Sequence, residues 1–196
     1  EKALISVLES RLPLEIFIMD GGSSDQTIHI IKKWESEISG WRSYPDKGQA
    51  SAINEGVKLG KSPFICWLNS DDYYLESGLN KMVDELEKNS KSPIIYGKVM
   101  NFNEKDNSFK PVKVEEFNIR QMTKRCIISQ PATLIRRSCF ETVGGLDEKL
   151  ELAMDYDLWW KLYQEFNNFV FLDKYIAVNR EHKNTKTNTN RKKHYK

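Results

Sequence analysis

"PFICWLNSDDYYLESG", residues 63–78, decides how the rest of the chain is read. Its first six residues form a short apolar run with β-branched and aromatic members, the signature of a buried strand. Two adjacent carboxylates, Asp71 and Asp72, follow. After them Leu79, Met82, Val83 and Leu86 recur at helical spacing. Strand, acidic turn and helix in that order form the repeating unit of an α/β sheet.

The same alternation extends in both directions. "EKALISVLES" reads as a short helix with Ala3, Leu4, Val7 and Leu8 at helical spacing, and "LEIFIMD", residues 14–20, as a buried strand. "GGSSDQTIHIIKKW" supplies a turn and a helix, with Ser23 and Gln26 at the offset of a capping box and Ile28, Ile31 and Trp34 as its inner stripe. After the short "WRSY" run, "KGQASAINEGVKLG" repeats the helical period through Ala50, Ile53 and Val57 until Gly60 stops it. Downstream, "PIIYGKVMNF" is a strand, "FNEKDNSFKPV" a hairpin or excursion, and "EEFNIRQMTKRC" a short helix. "PATLIRR" is a further strand, "SCFE" opens a helix with a Ser138–Glu141 capping pair, and "MDYDLWWKLYQEF" is a helix lined by Leu158, Leu162 and Phe166. The expectation is an α/β fold: a mostly parallel sheet with flanking helices, and a smaller rim over one edge formed by residues 102–126.

Composition narrows the class. The 196 residues, 39% hydrophobic, suffice for one sizeable core but leave little room for two. Thirty basic against twenty-eight acidic side chains give a net charge of +2, which argues against a general polyanion binder, and no nucleic acid is expected as a partner. The excess positive charge gathers in "KNTKTNTNRKKHYK", residues 183–196, a basic polar tail that either solubilises the chain or touches an anionic membrane surface. Three scattered cysteines fit a reducing compartment and lack metal-ligand spacing. With no apolar run long enough to span a bilayer, the expected location is cytoplasmic, with peripheral membrane association through the tail as the variant.

In an open parallel sheet, ligands sit outside the carboxyl ends of the strands. Asp20, Asp46 and the Asp71–Asp72 pair all fall at such ends or beside them. Asp71 and Asp72 either cap a helix beginning near Leu75 or hold a cation. Adjacent carboxylates repel unless a cation or protons intervene, and Mg²⁺ or Mn²⁺ shared with diphosphate oxygens is the usual solution. Asp20, followed by Gly21 and Gly22, is either a turn residue or an acceptor for a pyrimidine N–H, the glycines leaving room beside the ring. Asp155 and Asp157 lie two apart on a helix, so only one can face a site. Either favours the positive helix end, and either could act as a general base.

With these residues in place the chain resembles the inverting, metal-dependent family 2 glycosyltransferases of the GT-A fold. Four segments carry the resemblance in the family's order: "EIFIMDGGSSDQT", "YPDKGQASAINEG", "FICWLNSDD" and "ATLIRRSCFETVGGLDEKLELAMDYDLWWKL". It implies one catalytic domain over residues 1–182, with a nucleotide-binding half (1–100) and an acceptor half (101–182). It further implies that Asp20 contacts the nucleobase, Asp46 and Lys47 run beside the nucleoside and diphosphate, and Asp71 meets the ribose. Asp72 and His182 would hold Mn²⁺ or Mg²⁺, and Asp155 would be the base. His182 also reads as a plain surface residue beside the tail.

Three departures stand out. The family opens with an apolar strand and a Thr-Tyr-Asn-like loop, which nothing before "EKALISVLES" supplies, so a truncated chain or a nucleotide pocket lacking one wall is expected. The acidic pair before the base is here Met154–Asp155, and the first position of a strict DxD is Asn69. The resemblance implies a UDP-sugar as donor and a saccharide or lipid-linked saccharide as acceptor. A non-catalytic nucleotide-sugar binding module is the alternative. A nucleotidyltransferase fits less well, because "GGSSDQT" lacks the basic residue its phosphate loop would need.

Overall fold

The computed structural model describes residues 1–150 and 152–181. Helix α1 (Lys2–Leu8) leads into strand β1 (Phe17–Asp20), helix α2 (Thr27–Lys33) and strand β2 (Gly40–Ser43). β1 and β2 pair in parallel from Phe17–Gly40 to Asp20–Ser43, forming a two-stranded sheet of their own. Helix α3 (Gln49–Leu59) packs on β1, so closely that a methyl at Gly56 would meet Met19 Cγ at 3.2 Å.

Among the described residues the larger sheet has six strands. β3 (Phe64–Ile65), β7 (Thr133–Arg136), β5 (Ile94–Asn103), β8 (Phe169–Glu181) and β4 (Tyr73–Tyr74) lie in that order, and β6 (Ser108–Pro111) pairs with the far end of β5. The period of two in "PIIYGKV" divides the core. Ile94 and Tyr96 face one layer with Leu158, Trp159 and Leu162 of helix α7 (Met154–Phe166); Ile95 and Val99 face the other with Leu79, Met82 and Leu86 of helix α4 (Gly78–Lys88). Each of these fully buried Leu, Ile or Met side chains contributes about 1.5–3 kcal/mol of transfer free energy.

The helices flank the sheet as expected, but its strands are mixed. β1–β2 and β5–β8 are parallel; β7 runs antiparallel to both β3 and β5, as β4 does to β8 and β6 to β5. Parallel pairing requires a crossover that carries the chain back across the sheet. After β5 the chain instead turns through the β6 hairpin and helix α5 (Ile119–Met122) at the far end and re-enters as β7, running back. Helix α6 (Arg137–Thr142) and α7 then return the chain, which lets β8 lie parallel to β5. Between Gly97–Leu172 and Val99–Ala177 the β5–β8 register slips twice, so that β8 advances further than its neighbour.

Several local expectations give way. Ser23 and Gln26 form no capping box: Gln26 is the N-cap residue without a side-chain bond, and Asp25 Oδ1 instead accepts the Thr27 N–H at 2.9 Å. Ser138 lies inside α6, whose N-cap is Arg136. Asp71 and Asp72 cap no helix either, since α4 begins at Gly78 and Tyr73–Tyr74 intervene as β4.

Candidate active site

A cavity of about 1430 Å³ runs between the two-stranded sheet and the β3 edge of the larger one. Phe17, Ile18 and Met19 line it from β1, and Phe64 and Ile65 from β3. Its lining includes four carboxylates: Asp20 at the end of β1, Asp71 and Asp72 in the turn between β3 and β4, and Asp155 in the first turn of α7.

Asp20 ends β1 and is nine-tenths buried. Burial alone would raise its pKa. Four hydrogen bonds overcome that effect and bring it down to about 2: the Ser23 hydroxyl donates to Oδ1 at 2.5 Å, while Oδ2 accepts the Ser43 hydroxyl at 2.6 Å, the Ser23 N–H at 2.8 Å and the Gly22 N–H at 3.0 Å. Ser23 is thus committed to Asp20. Gly22 adopts φ +92°, a left-handed backbone that suits glycine and brings its N–H round to the carboxylate.

The Asp71–Asp72 turn behaves in the opposite way. Asp72 donates its N–H to Asn69 O at 3.1 Å, closing a turn that buries its own side chain. Its Oδ1 accepts the Arg180 N–H at 3.1 Å and its Oδ2 the Asn69 amide at 3.2 Å; Asn69 Oδ1 in turn accepts from Gln49 Nε2 at 2.7 Å. Burial, and then the neighbouring Asp71 charge, push Asp72 up to about 6.

Asp155 stands in the first turn of α7, where the helix dipole favours a carboxylate, and its Oδ1 accepts the Tyr156 N–H at 2.9 Å. Before it, Ala153 takes a left-handed φ of +61°. Asp157 turns away from the cavity lining and pairs with Lys161 at 2.7 Å, so the two-residue offset separates the carboxylates as expected.

Asp46 and Lys47 do not line the cavity, but Asp46 lies close beside Gly21, which does: a methyl there would lie 3.5 Å from Asp46 Oδ2. Lys47 is exposed on the same loop. His182 and the basic tail lie outside the described residues. Among the described residues no group of three or more His, Cys, Asp or Glu side chains converges as a metal site. The donor set still fits a hard divalent cation: two adjacent carboxylates, one buried and raised by its neighbour, open onto a cavity in which a ligand's phosphate oxygens can complete the shell.

Sequence reading missed Arg42, Gln49 and Arg180. A signal existed for Arg42, since an arginine inside a short strand must be paired; Gln49 and Arg180 are placed only by the structure, at the start of α3 and near the end of β8.

Residues 1–144 match the sequence profile described as "Glycosyl transferase family 2". The chain belongs to that family. An uncharacterized glycosyltransferase of Rickettsia conorii is 30% identical over 162 residues, covering 77% of this chain and 26% of that protein. A chondroitin synthase of Pasteurella multocida is 31% identical over 171 residues, 85% of this chain and 17% of the relative. The chain thus spans about a quarter of the R. conorii protein, and 57% of an uncharacterized glycosyltransferase of Rickettsia prowazekii. In fold, the family 2 chain is similar to S. aureus TarS in complex with UDP-GlcNAc, with a TM-score of 0.75, 19% identity and coverage of 93% of this chain and 55% of that one. No described helix is long and apolar enough to cross a membrane.

Proposed function

We propose that this chain transfers a sugar from a UDP-sugar to a saccharide hydroxyl, free or lipid-linked, with inversion at the anomeric carbon. The observation that carries the reading is the convergence of Asp20, Asp71, Asp72 and Asp155 on one cavity. The relatives named as chondroitin and hyaluronan synthases, and the likeness to a protein solved with UDP-GlcNAc, support the donor class.

Each residue has a task the geometry allows. Asp20, held ionised by its four hydrogen bonds, keeps acceptor capacity on Oδ1 for the N–H of a uracil. Asp46 and Lys47 lie along the nucleoside and diphosphate, and Asp71 meets the ribose. Asp72, with His182 from beyond the described residues, would hold Mn²⁺ or Mg²⁺, which when bound supplies positive charge for the departing diphosphate. Asp155 takes the proton from the acceptor hydroxyl as its oxygen attacks the anomeric carbon and the bond to the UDP oxygen breaks. One carboxylate suffices as base because the diphosphate leaves readily, and a single displacement inverts the centre.

Asp155→Asn should lower kcat by about 10²–10⁴-fold while UDP still binds; Asp72→Ala should abolish the Mn²⁺ dependence. A donor screen with Mn²⁺ reads both, and unchanged turnover in the two variants would overturn the mechanism. One observation favours a second reading, a nucleotide-sugar binding module without turnover. Among the described residues β1 pairs only with β2 and β3 only with β7, so both flank the cavity by an edge. Calorimetric binding of UDP with no transfer to any acceptor would select that reading.

A further inference from the structure

Arg42 lies on β2 with only a tenth of its side chain exposed, and it belongs to no part of the mechanism above. Its guanidinium nevertheless gathers oxygens from three elements. Nη1 donates to Asp20 O at 2.6 Å, to Tyr44 O at 3.1 Å and to Asp46 Oδ2 at 3.2 Å. Nη2 and Nε both donate to Glu55 Oε2 of α3, at 2.8 and 3.2 Å. Tyr44 completes the frame. Its ring lies 4.5 Å from the guanidinium carbon and its hydroxyl donates to Glu55 Oε1 at 2.7 Å.

We propose that Arg42 is a positioning residue for the donor: by binding the Asp20 carbonyl and the Asp46 carboxylate at once, it fixes the β1 and β2 end loops in the spacing a nucleotide needs. This rests on the reading of Asp20 and Asp46 as donor contacts.

The physical case has two parts. A guanidinium presents its donors in a rigid plane, so two oxygens bound to Nη1 are held at a set separation, and the Glu55 contacts keep that plane from rotating. The second part is electrostatic. Asp46 lies beside Gly21, where an incoming diphosphate brings further negative charge. A carboxylate left unpaired there would repel it, and the Arg42 charge offsets that repulsion. Lysine keeps the charge but loses the fork, and glutamine loses both. Glu55 serves as the anchor. Its carboxylate is held below its ordinary value, by the Tyr44 hydroxyl first and then by Arg42, so it stays ionised at neutral pH.

The test is a double-mutant cycle on UDP affinity, measured by calorimetry with MnCl₂ well below the melting temperature of every variant. Arg42→Gln should weaken UDP binding about tenfold and Arg42→Lys by less, with the donor KM rising in step and kcat little changed. Asp46→Asn should weaken binding too, and the Arg42→Gln/Asp46→Asn double variant should be no weaker than the worse single one. A purely structural arginine would lower the melting temperature without coupling to Asp46 in UDP affinity. Should Arg42→Gln fail to fold, Glu55→Gln frees the guanidinium from its anchor and should raise the Kd about two- to threefold, again non-additively with Asp46→Asn. If Asp46→Asn weakens UDP but the Arg42 and Glu55 variants do not, or their effects simply add, the inference on Arg42 falls and the donor reading stands. If Asp20→Asn and Asp46→Asn both leave UDP affinity intact, the donor reading falls and takes the inference with it.

Discussion

Asp20 and Asp72 are both aspartates, both nearly buried, and both open onto one cavity, yet one is held at about 2 and the other at about 6. Burial opposes ionisation in both. The difference lies in what surrounds each carboxylate: four N–H or O–H donors close on Asp20, whereas Asp72 has two and sits beside a second negative charge. A carboxylate met by four donors is held ionised before any ligand arrives. One buried next to its like is left with a deficit that a cation can fill.

Substitution to asparagine should split the pair by sign. Asp20→Asn should destabilise the protein by about 2 kcal/mol at pH 8, because the lowered pKa represents folded-state stabilisation of the charged form. That stability is present above the unfolded value near 4 and is lost as pH falls toward 2. Asp72→Asn should stabilise the metal-free protein at pH 8 by about 1–2 kcal/mol: relief of a buried charge, near 3 kcal/mol, less one lost acceptor. Here the native advantage exists below pH 4 and disappears as pH rises through about 6. Urea melts of both variants between pH 2 and 8, with chelator present, read the two windows, and the same sign for both at pH 8 would break the contrast.

Smaller changes sharpen it. Ser43→Ala removes one of the four donors and should cost about 1 kcal/mol, raising the pKa of Asp20, which carboxyl NMR titration would read. Ala153→Gly should gain up to about 1 kcal/mol by relieving the left-handed backbone ahead of Asp155, and a rise in melting temperature checks it. Loss of stability there would mean that the alanine methyl packs usefully.

Helical period made α3, α4 and α7 legible, because each presents one apolar face to a layer it can bury against, while β1 and β5 were legible as short apolar runs, β5 being buried on both faces. Neither signal could show that β7 enters between β3 and β5, since strand order depends on contacts between distant residues. β4, two residues long, carries no period at all. β8 was missed because exposed Asp173, Lys174 and Tyr175 interrupt its apolar pattern, and only the pairing with β5 holds the strand together across them. At the site, the acidic residues at strand ends could be read as candidates from the parallel-sheet rule. The partners that set their acidity could not: Ser43 lies 23 residues from Asp20, and the Arg180 N–H 108 residues from Asp72.

The double slip between β5 and β8 acts as a vernier. Over the stretch where β5 passes from Gly97 to Val99, β8 runs from Leu172 to Ala177, and the surplus chain shortens its onward reach by roughly 10 Å. A methyl at Gly97 would crowd Ile176, so the slack can be taken up there only against a bare backbone. Trimming Asp173 or Lys174 would therefore be felt at the far end, where the Arg180 amide would slide past the carboxylate it now meets. Chain length in an exposed bend thus sets the alignment of an acidic turn a hundred residues upstream.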